Sequence, residues 1–161
     1  MADHPEVTSS GHGYEVLSAA GTRNEKPLEL DVQPISKLAL LLSNRLVTPS
    51  VMLKRDVPHR LHAGRRHVDD HLLWLQLFCA GSRLVRFSAP LAYVHKAMYG
   101  ESGLSAEIWK MAKAELENYW ILHRDGCIGA PAVLALSAYS LAKFVRRALL
   151  VSVRRLIHTR G

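Results

Sequence analysis

Val68-Asp69-Asp70-His71-Leu72-Leu73-Trp74-Leu75-Gln76-Leu77 is the stretch on which the fold is decided. Two adjacent carboxylates open it, and an apolar run follows through Phe78, Cys79 and Ala80 to Gly81. The pattern predicts a buried helix from Asp69 to about Ala80, with acids at its positive end and glycine just past its C-terminus. The pair has an ordinary structural role, because Asp is a favoured N-cap and a second Asp in the first turn suits the helix dipole. A carboxylate fixed at a helix start is also what a proton-transfer reaction needs. The surroundings of the pair decide between these roles.

Length and charge bound the answer. The chain has 161 residues, 48% of them hydrophobic and 22% charged, which is globular composition with enough apolar side chains for a core. Its net charge of +7 suits an anionic partner such as a phosphorylated substrate or an acidic membrane surface. Aromatic-plus-basic signatures of nucleic-acid binding are absent, so no nucleic-acid partner is expected. The charge is uneven: no acid follows Asp125, whereas Lys143, Arg146, Arg147, Arg154, Arg155 and Arg160 do. Cys79 and Cys127 show no Cys-x-x-Cys spacing and sit among apolar residues, so they are expected as small core residues in a reducing compartment. The polar N-terminus carries no secretory h-region, which points to the cytoplasm.

Taken in order, residues 1–13 have Pro5, Gly11 and Gly13 and read as a frayed terminus. Tyr14–Leu17 and Leu28–Val32 alternate like two strands of a hairpin. Ile35–Leu42 follows Pro34 as a short apolar helix. Leu46–Leu53 looks like a buried strand interrupted by Pro49, which argues for an edge or a bulge. Lys54–Arg66 reads as a basic loop. After the Asp69 helix, Arg83–Phe87 and Leu91–Val94 read as two short strands around Ala89-Pro90, and His95–Gly103 as loop. Ser105 is placed to cap a helix from Ala106 to about Arg124, ended by Asp125-Gly126. Pro131 opens a last helix to about Ile157, apolar first and basic from Lys143 on. Its uncharged part is shorter than the roughly 20 residues of a membrane span, so it suits a membrane surface or a packed helix with a solvated basic rim.

The succession Asn44-Arg45-Leu46-Val47-Thr48-Pro49-Ser50-Val51-Met52-Leu53-Lys54-Arg55, then Asp69-Asp70-His71-Leu72-Leu73-Trp74-Leu75, then Leu91-Ala92-Tyr93-Val94-His95, then Ser102-Gly103-Leu104-Ser105 resembles the C-terminal part of the catalytic domain of family-2 glycosyltransferases. In that family a Thr-Pro-Ser-Val-Met strand precedes an acidic pair heading a Leu-Trp-Leu helix. A Pro-Leu-x-Tyr strand and a His- and Ser-containing loop follow. The family's pair is usually Glu-Asp; here it is Asp69-Asp70. Even Asp3-His4-Pro5-Glu6-Val7 is similar to the tail of the helix ahead of the Tyr14 strand in relatives. The resemblance spans about Tyr14 to Arg147.

It implies an α/β chain: part of the A-type (nucleotide-diphospho-sugar transferase) fold, a mixed sheet flanked by helices, with C-terminal helices. Residues 1–125 would form the acceptor-side part of a catalytic domain and residues 126–161 an amphipathic basic helix. The implied activity is inverting transfer from a nucleotide-sugar donor to a saccharide or lipid-linked acceptor, in cell-envelope or exopolysaccharide synthesis at the inner face of the membrane. Asp70 matches the family's catalytic base. Asp69 is expected to orient it or bind an acceptor hydroxyl. Trp74 is a candidate sugar-facing ring, although core packing accounts for it as well, and His95 a candidate for the donor phosphates or a loop histidine. The resemblance also implies a divalent cation, Mg or Mn, on the donor diphosphate. The Asp-x-Asp motif that ligates it is absent from the chain. So the resemblance predicts a chain lacking its donor-binding half, poorly soluble and without transfer alone: a fragment, a decayed gene product, or one piece completed by a complementing chain.

Two rival readings remain at this point. His59, His62, His67 and His71 crowd around the acidic pair, and His67 and His71 share one face of a helix. Arg60, Arg65 and Arg66 would repel a cation there, so no metal site is assigned. The other rival is a non-catalytic module that keeps the family's shape and binds a membrane surface or a partner.

Overall fold

The computed structural model describes residues 4–16, 31–62, 64–65, 67–94 and 108–158. The chain divides into two compact units. The first comprises Met1–Gly64 with Asp69–Ala97, and the second Arg65–Val68 with Met98–Gly161. The division falls ahead of the helix that starts at Ile108, whereas the sequence placed the boundary after Asp125.

The first unit is α/β. Its sheet contains β1 (Val7–Val16), β2 (Val32–Pro34), β3 (Met52–Leu53) and β4 (Arg83–Val94), in the order β2-β4-β1-β3. It is mixed: β1 runs parallel to β4, while β3 lies antiparallel to β1 and β2 antiparallel to β4. The expected hairpin of residues 14–17 with 28–32 is therefore corrected. β4 lies between β1 and β2, and residues 17–30 lie outside the described ones.

The frayed terminus is corrected too. Residues 7–13 are the first part of an inner strand, and the likeness of residues 3–7 to a helix tail fails where Val7 enters the sheet. Small residues there serve close packing. Ser9 is fully buried, a Cβ on Gly11 would lie 2.5 Å from Leu46 Cδ2, and one on Gly13 would lie 3.2 Å from the Ser88 carbonyl oxygen.

Gly13 pairs with Pro90 where the β1–β4 register shifts. That shift joins the two expected strands around Ala89-Pro90 into one. Among the described residues β2 pairs with Val85–Phe87, and none of them is registered opposite Pro90, whose missing N–H therefore costs no described ladder bond to β2. Pro34 sits on the outermost strand, where a lost donor costs little.

Between β2 and β3 the chain makes α1 (Lys37–Leu42) and a 3-10 turn at Thr48–Ser50. Ser36 caps α1, its hydroxyl accepting from the Ala39 amide at 3.2 Å. Pro49 turns the expected Leu46–Leu53 strand into this 3-10 turn and leaves only Met52–Leu53 extended. Helix α2 (Asp69–Cys79) starts where the sequence put it and packs on α1. It is buried from His71 to Leu77, consistent with an apolar run that leaves no polar stripe. Gly81, at φ +82°, closes it: its amide donates to Phe78 O at 3.0 Å and Ser82 N donates to Leu77 O at 3.0 Å, a Schellman motif.

The second unit pairs α3 (Ile108–Arg124) with α4 (Ala130–His158). Gly126, at φ +74°, ends α3 by the same motif, with Gly126 N donating to His123 O at 3.0 Å and Cys127 N to Leu122 O at 2.8 Å. Two α4 groups, Ser140 and Lys143, and two α3 groups, Glu115 and Tyr119, form a largely buried cluster. Glu115 Oε1 accepts from Lys143 Nζ at 2.6 Å and from the Tyr119 hydroxyl at 3.2 Å, and Oε2 accepts from Ser140 Oγ at 2.6 Å. The Lys143 ammonium also lies 4.8 Å from the Tyr139 ring centre. Burial, with the Glu115 carboxylate beside it, pushes the Tyr119 phenol well above its ordinary range.

The cysteines differ from expectation. Cys79 is exposed at the end of α2, and both cysteines are disulfide-bonded rather than buried thiols.

Candidate functional site

The start of α2 gathers the polar side chains of the first unit, and the two carboxylates do different work. Asp69 is buried, at 8% exposure. Its Oδ2 accepts from the His62 amide at 2.9 Å, and its Oδ1 lies 3.3 Å from His62 Nδ1. Asp69 thus anchors the end of the basic loop to the helix. Arg60 organises the rest of that loop, donating to the carbonyls of Arg55, Val57 and His59. The basic residues expected to repel a cation therefore include one that is committed to loop carbonyls.

Asp70 is half-buried and faces the segment between α1 and the 3-10 turn. Its Oδ2 accepts from Asn44 Nδ2 at 3.0 Å and from Thr48 Oγ1 at 2.8 Å; its Oδ1 accepts from the His71 amide at 2.8 Å. Asn44 is itself oriented, because its Oδ1 accepts from the Leu46 amide at 3.2 Å. A carboxylate has about four lone-pair positions, two on each oxygen. Among the described residues Oδ2 therefore has both occupied and Oδ1 has one. Two residues of the Asn44–Arg55 stretch and the acidic pair meet at this side chain.

The remaining candidates are placed as follows. Trp74 is 3% exposed, and among the described residues its Nε1 makes no hydrogen bond. Its ring belongs to the core and presents no face to a sugar, because α2 is buried on all sides at that turn. His71 is buried as well, its Nε2 2.6 Å from the Leu40 carbonyl oxygen, which ties α2 to α1. His95 lies outside the described residues, as do Ser102–Ser105.

A divalent cation does not fit here. Among the described residues no group of three His, Cys, Asp or Glu side chains could hold one. The oxygens of Asp70 are turned to hydrogen-bond donors, and a hard cation needs several oxygen ligands converging on one point.

Asn44 and Thr48 as partners of Asp70 escaped the sequence reading. A signal was present: two short hydrogen-bonding side chains four apart, flanking Leu46-Val47 just before a proline.

Just ahead of α2, in the second unit, Val68 has φ +55°, a left-handed conformation that β-branched residues rarely adopt. Asn118 of α3 holds it, donating Nδ2 to the Val68 carbonyl at 2.9 Å while its Oδ1 accepts from Arg65 Nη2 at 2.6 Å. Compared with protein-family models, curated proteins and solved structures, the chain matches none.

Proposed function

We propose that the first unit is the acceptor-side part of an inverting, family-2-like glycosyltransferase, with Asp70 as its general base. The observation that carries the reading is the anchoring of Asp70 by two side chains, Asn44 and Thr48, with one lone pair of Oδ1 left over among the described residues. A cap alone asks only for backbone amides as partners. A base has to be held rigidly and still keep a site for an incoming proton. The α/β architecture with a mixed sheet is compatible with part of the A-type fold.

In the proposed step the acceptor hydroxyl gives its proton to Asp70 Oδ1 as its oxygen bonds to the anomeric carbon. The bond from that carbon to the donor phosphate breaks, the electron pair leaves with the nucleoside diphosphate, and the configuration inverts. Positive charge on the sugar ring in the transition state is stabilised by the adjacent carboxylate. Asp69 acts as a positioning residue through the His62 loop. The nucleotide-binding strands are expected from residues outside this chain's 161, on the same or another polypeptide.

The test is sugar transfer by the chain completed with a donor-binding half, comparing Asp70→Asn with the unsubstituted protein. The expected result is a fall in kcat of about 100-fold or more, in the range of general acid–base contributions, with the donor KM unchanged. Full activity of Asp70→Asn would refute the base assignment.

A further inference from the structure

Helix α4 wears its apolar side outward. Val133, Leu136 and Ser140 are buried, and Lys143 bonds Glu115 of α3. The opposite face carries Leu134, Leu141, Val145 and Leu149, exposed at 70%, 50%, 53% and 61%, with Ala135, Ala138 and Ala142 among them and Tyr139 and Leu150 at its margin. At 3.6 residues per turn these positions cover roughly half of the helix circumference and run about 24 Å along it. Arg146 is the single charge on that exposed surface among the described residues. Ser140 and Lys143, by contrast, are turned toward Glu115 of α3.

An arc this wide differs from the narrow two-position seam of a coiled coil and matches a helix lying in a bilayer interface. Charge separates the two occupants further. From Gly126 to the last residue the sequence holds six cations and no acid: Lys143, Arg146, Arg147, Arg154, Arg155 and Arg160. With Lys143 already answered by Glu115, a second copy of the helix would set the outward Arg146 against its own counterpart, with no acid on the helix to answer it. Phosphate headgroups supply the missing anions, and long cationic stems let side chains reach them while the apolar face stays buried. No described helix is long and apolar enough to cross a membrane, so contact through α4 runs along the surface.

We infer that the outward face of α4 is a docking surface for an anionic lipid bilayer, with Leu134, Leu141, Val145 and Leu149 entering the acyl boundary and Arg146 at the headgroups. The inference is independent of sugar transfer by the first unit.

Co-sedimentation of the full chain with large vesicles tests it, comparing phosphatidylcholine alone with phosphatidylcholine containing a third phosphatidylglycerol. Binding to the anionic vesicles is expected to be at least 10-fold tighter and to weaken when salt is raised to about 0.5 M. Arg146→Gln should weaken it about five-fold, the usual share of one interfacial cation. Leu141→Gln with Val145→Gln should abolish it while leaving far-UV ellipticity unchanged, because both side chains are exposed. Equal binding to both vesicle types, no binding, or binding that survives the double substitution would overturn the inference. So would a dimer in sedimentation equilibrium that the double substitution dissolves, since a second copy would then be the occupant.

Discussion

Replacing Glu115 with alanine removes the acceptor around which α3 and α4 are joined. Lys143, Ser140 and Tyr119 all donate to that carboxylate, two of them at 2.6 Å. Breaking a buried ion pair by deleting one partner costs about 3–5 kcal/mol, most of it the charge left behind. Lys143 keeps 21% of its side-chain exposure and sits over the Tyr139 ring, so some of its charge stays solvated. That places Glu115→Ala at the low end, about 3 kcal/mol. Glu115→Gln keeps one acceptor oxygen, which at the Oε1 position still accepts from Lys143 and Tyr119, while its amide NH2 faces the Ser140 hydroxyl and donates to it. It should cost about half as much, in line with the difference between charged and neutral hydrogen bonds. Glu115→Leu with Lys143→Met should stay within about 1 kcal/mol of the starting protein, because apolar replacement of a whole buried pair is often neutral. Urea titration followed by far-UV ellipticity, read as a midpoint shift at constant slope, measures each value. The reasoning fails if Glu115→Ala costs under about 0.5 kcal/mol, the usual scatter of additivity, or if a Glu115/Lys143 double-mutant cycle is additive within that margin.

The Tyr119 phenol is held protonated in the folded chain above its ordinary value of 10.0, whereas an unfolded chain ionises there. Stability from this group is therefore constant below about pH 10 and falls above it, by at most 1.4 kcal/mol per pH unit. Tyr119→Phe should flatten that part of a stability–pH curve, and an unaltered slope in the variant would assign the loss to another group. Gly13→Ala should cost about 1–3 kcal/mol in urea titration, because its Cβ would press on the backbone oxygens of Ser88 and Ala89, at 3.2 and 3.3 Å, where the register shifts.

The elements that could be read directly carry their own punctuation. Asp69 and Gly81 bracket α2, and Gly126 ends α3, because dipole and left-handed cap act within one turn of the chain. β1 was misread because Thr8-Ser9-Ser10-Gly11-His12-Gly13 lacks the β-branched alternation of a half-buried strand. What it has instead are small residues that let Leu46 and the β4 backbone come close, a demand set by neighbours distant in sequence. β4 was split at Pro90 because a proline's cost depends on whether a partner strand lies on its N–H side, which composition does not record. Trp74, a candidate sugar-facing ring from the resemblance, is buried instead, because the helix turns that carry it are covered on every side, His71 and Gln76 included. The disulfide state of Cys79 and Cys127 had no trace in spacing.

The acidic pair shows how far local pattern reaches. From sequence both aspartates suit a helix start, and the dipole treats them alike. Folding separates them. Asp69 is drawn inward to the His62 amide, while Asp70 is turned to Asn44 and Thr48. Had Asp70 been a cap and nothing more, an alanine at position 48 would leave its orientation intact, since the His71 amide alone would hold Oδ1. Instead Thr48 and Asn44 both donate to Oδ2 and add to the hold of the His71 amide on Oδ1. Such an arrangement spends two side chains on orientation that a cap does not need. The interest of Asp70 lies in that surplus, and it is there that a proton-accepting role and a merely structural one make different demands on the same side chain.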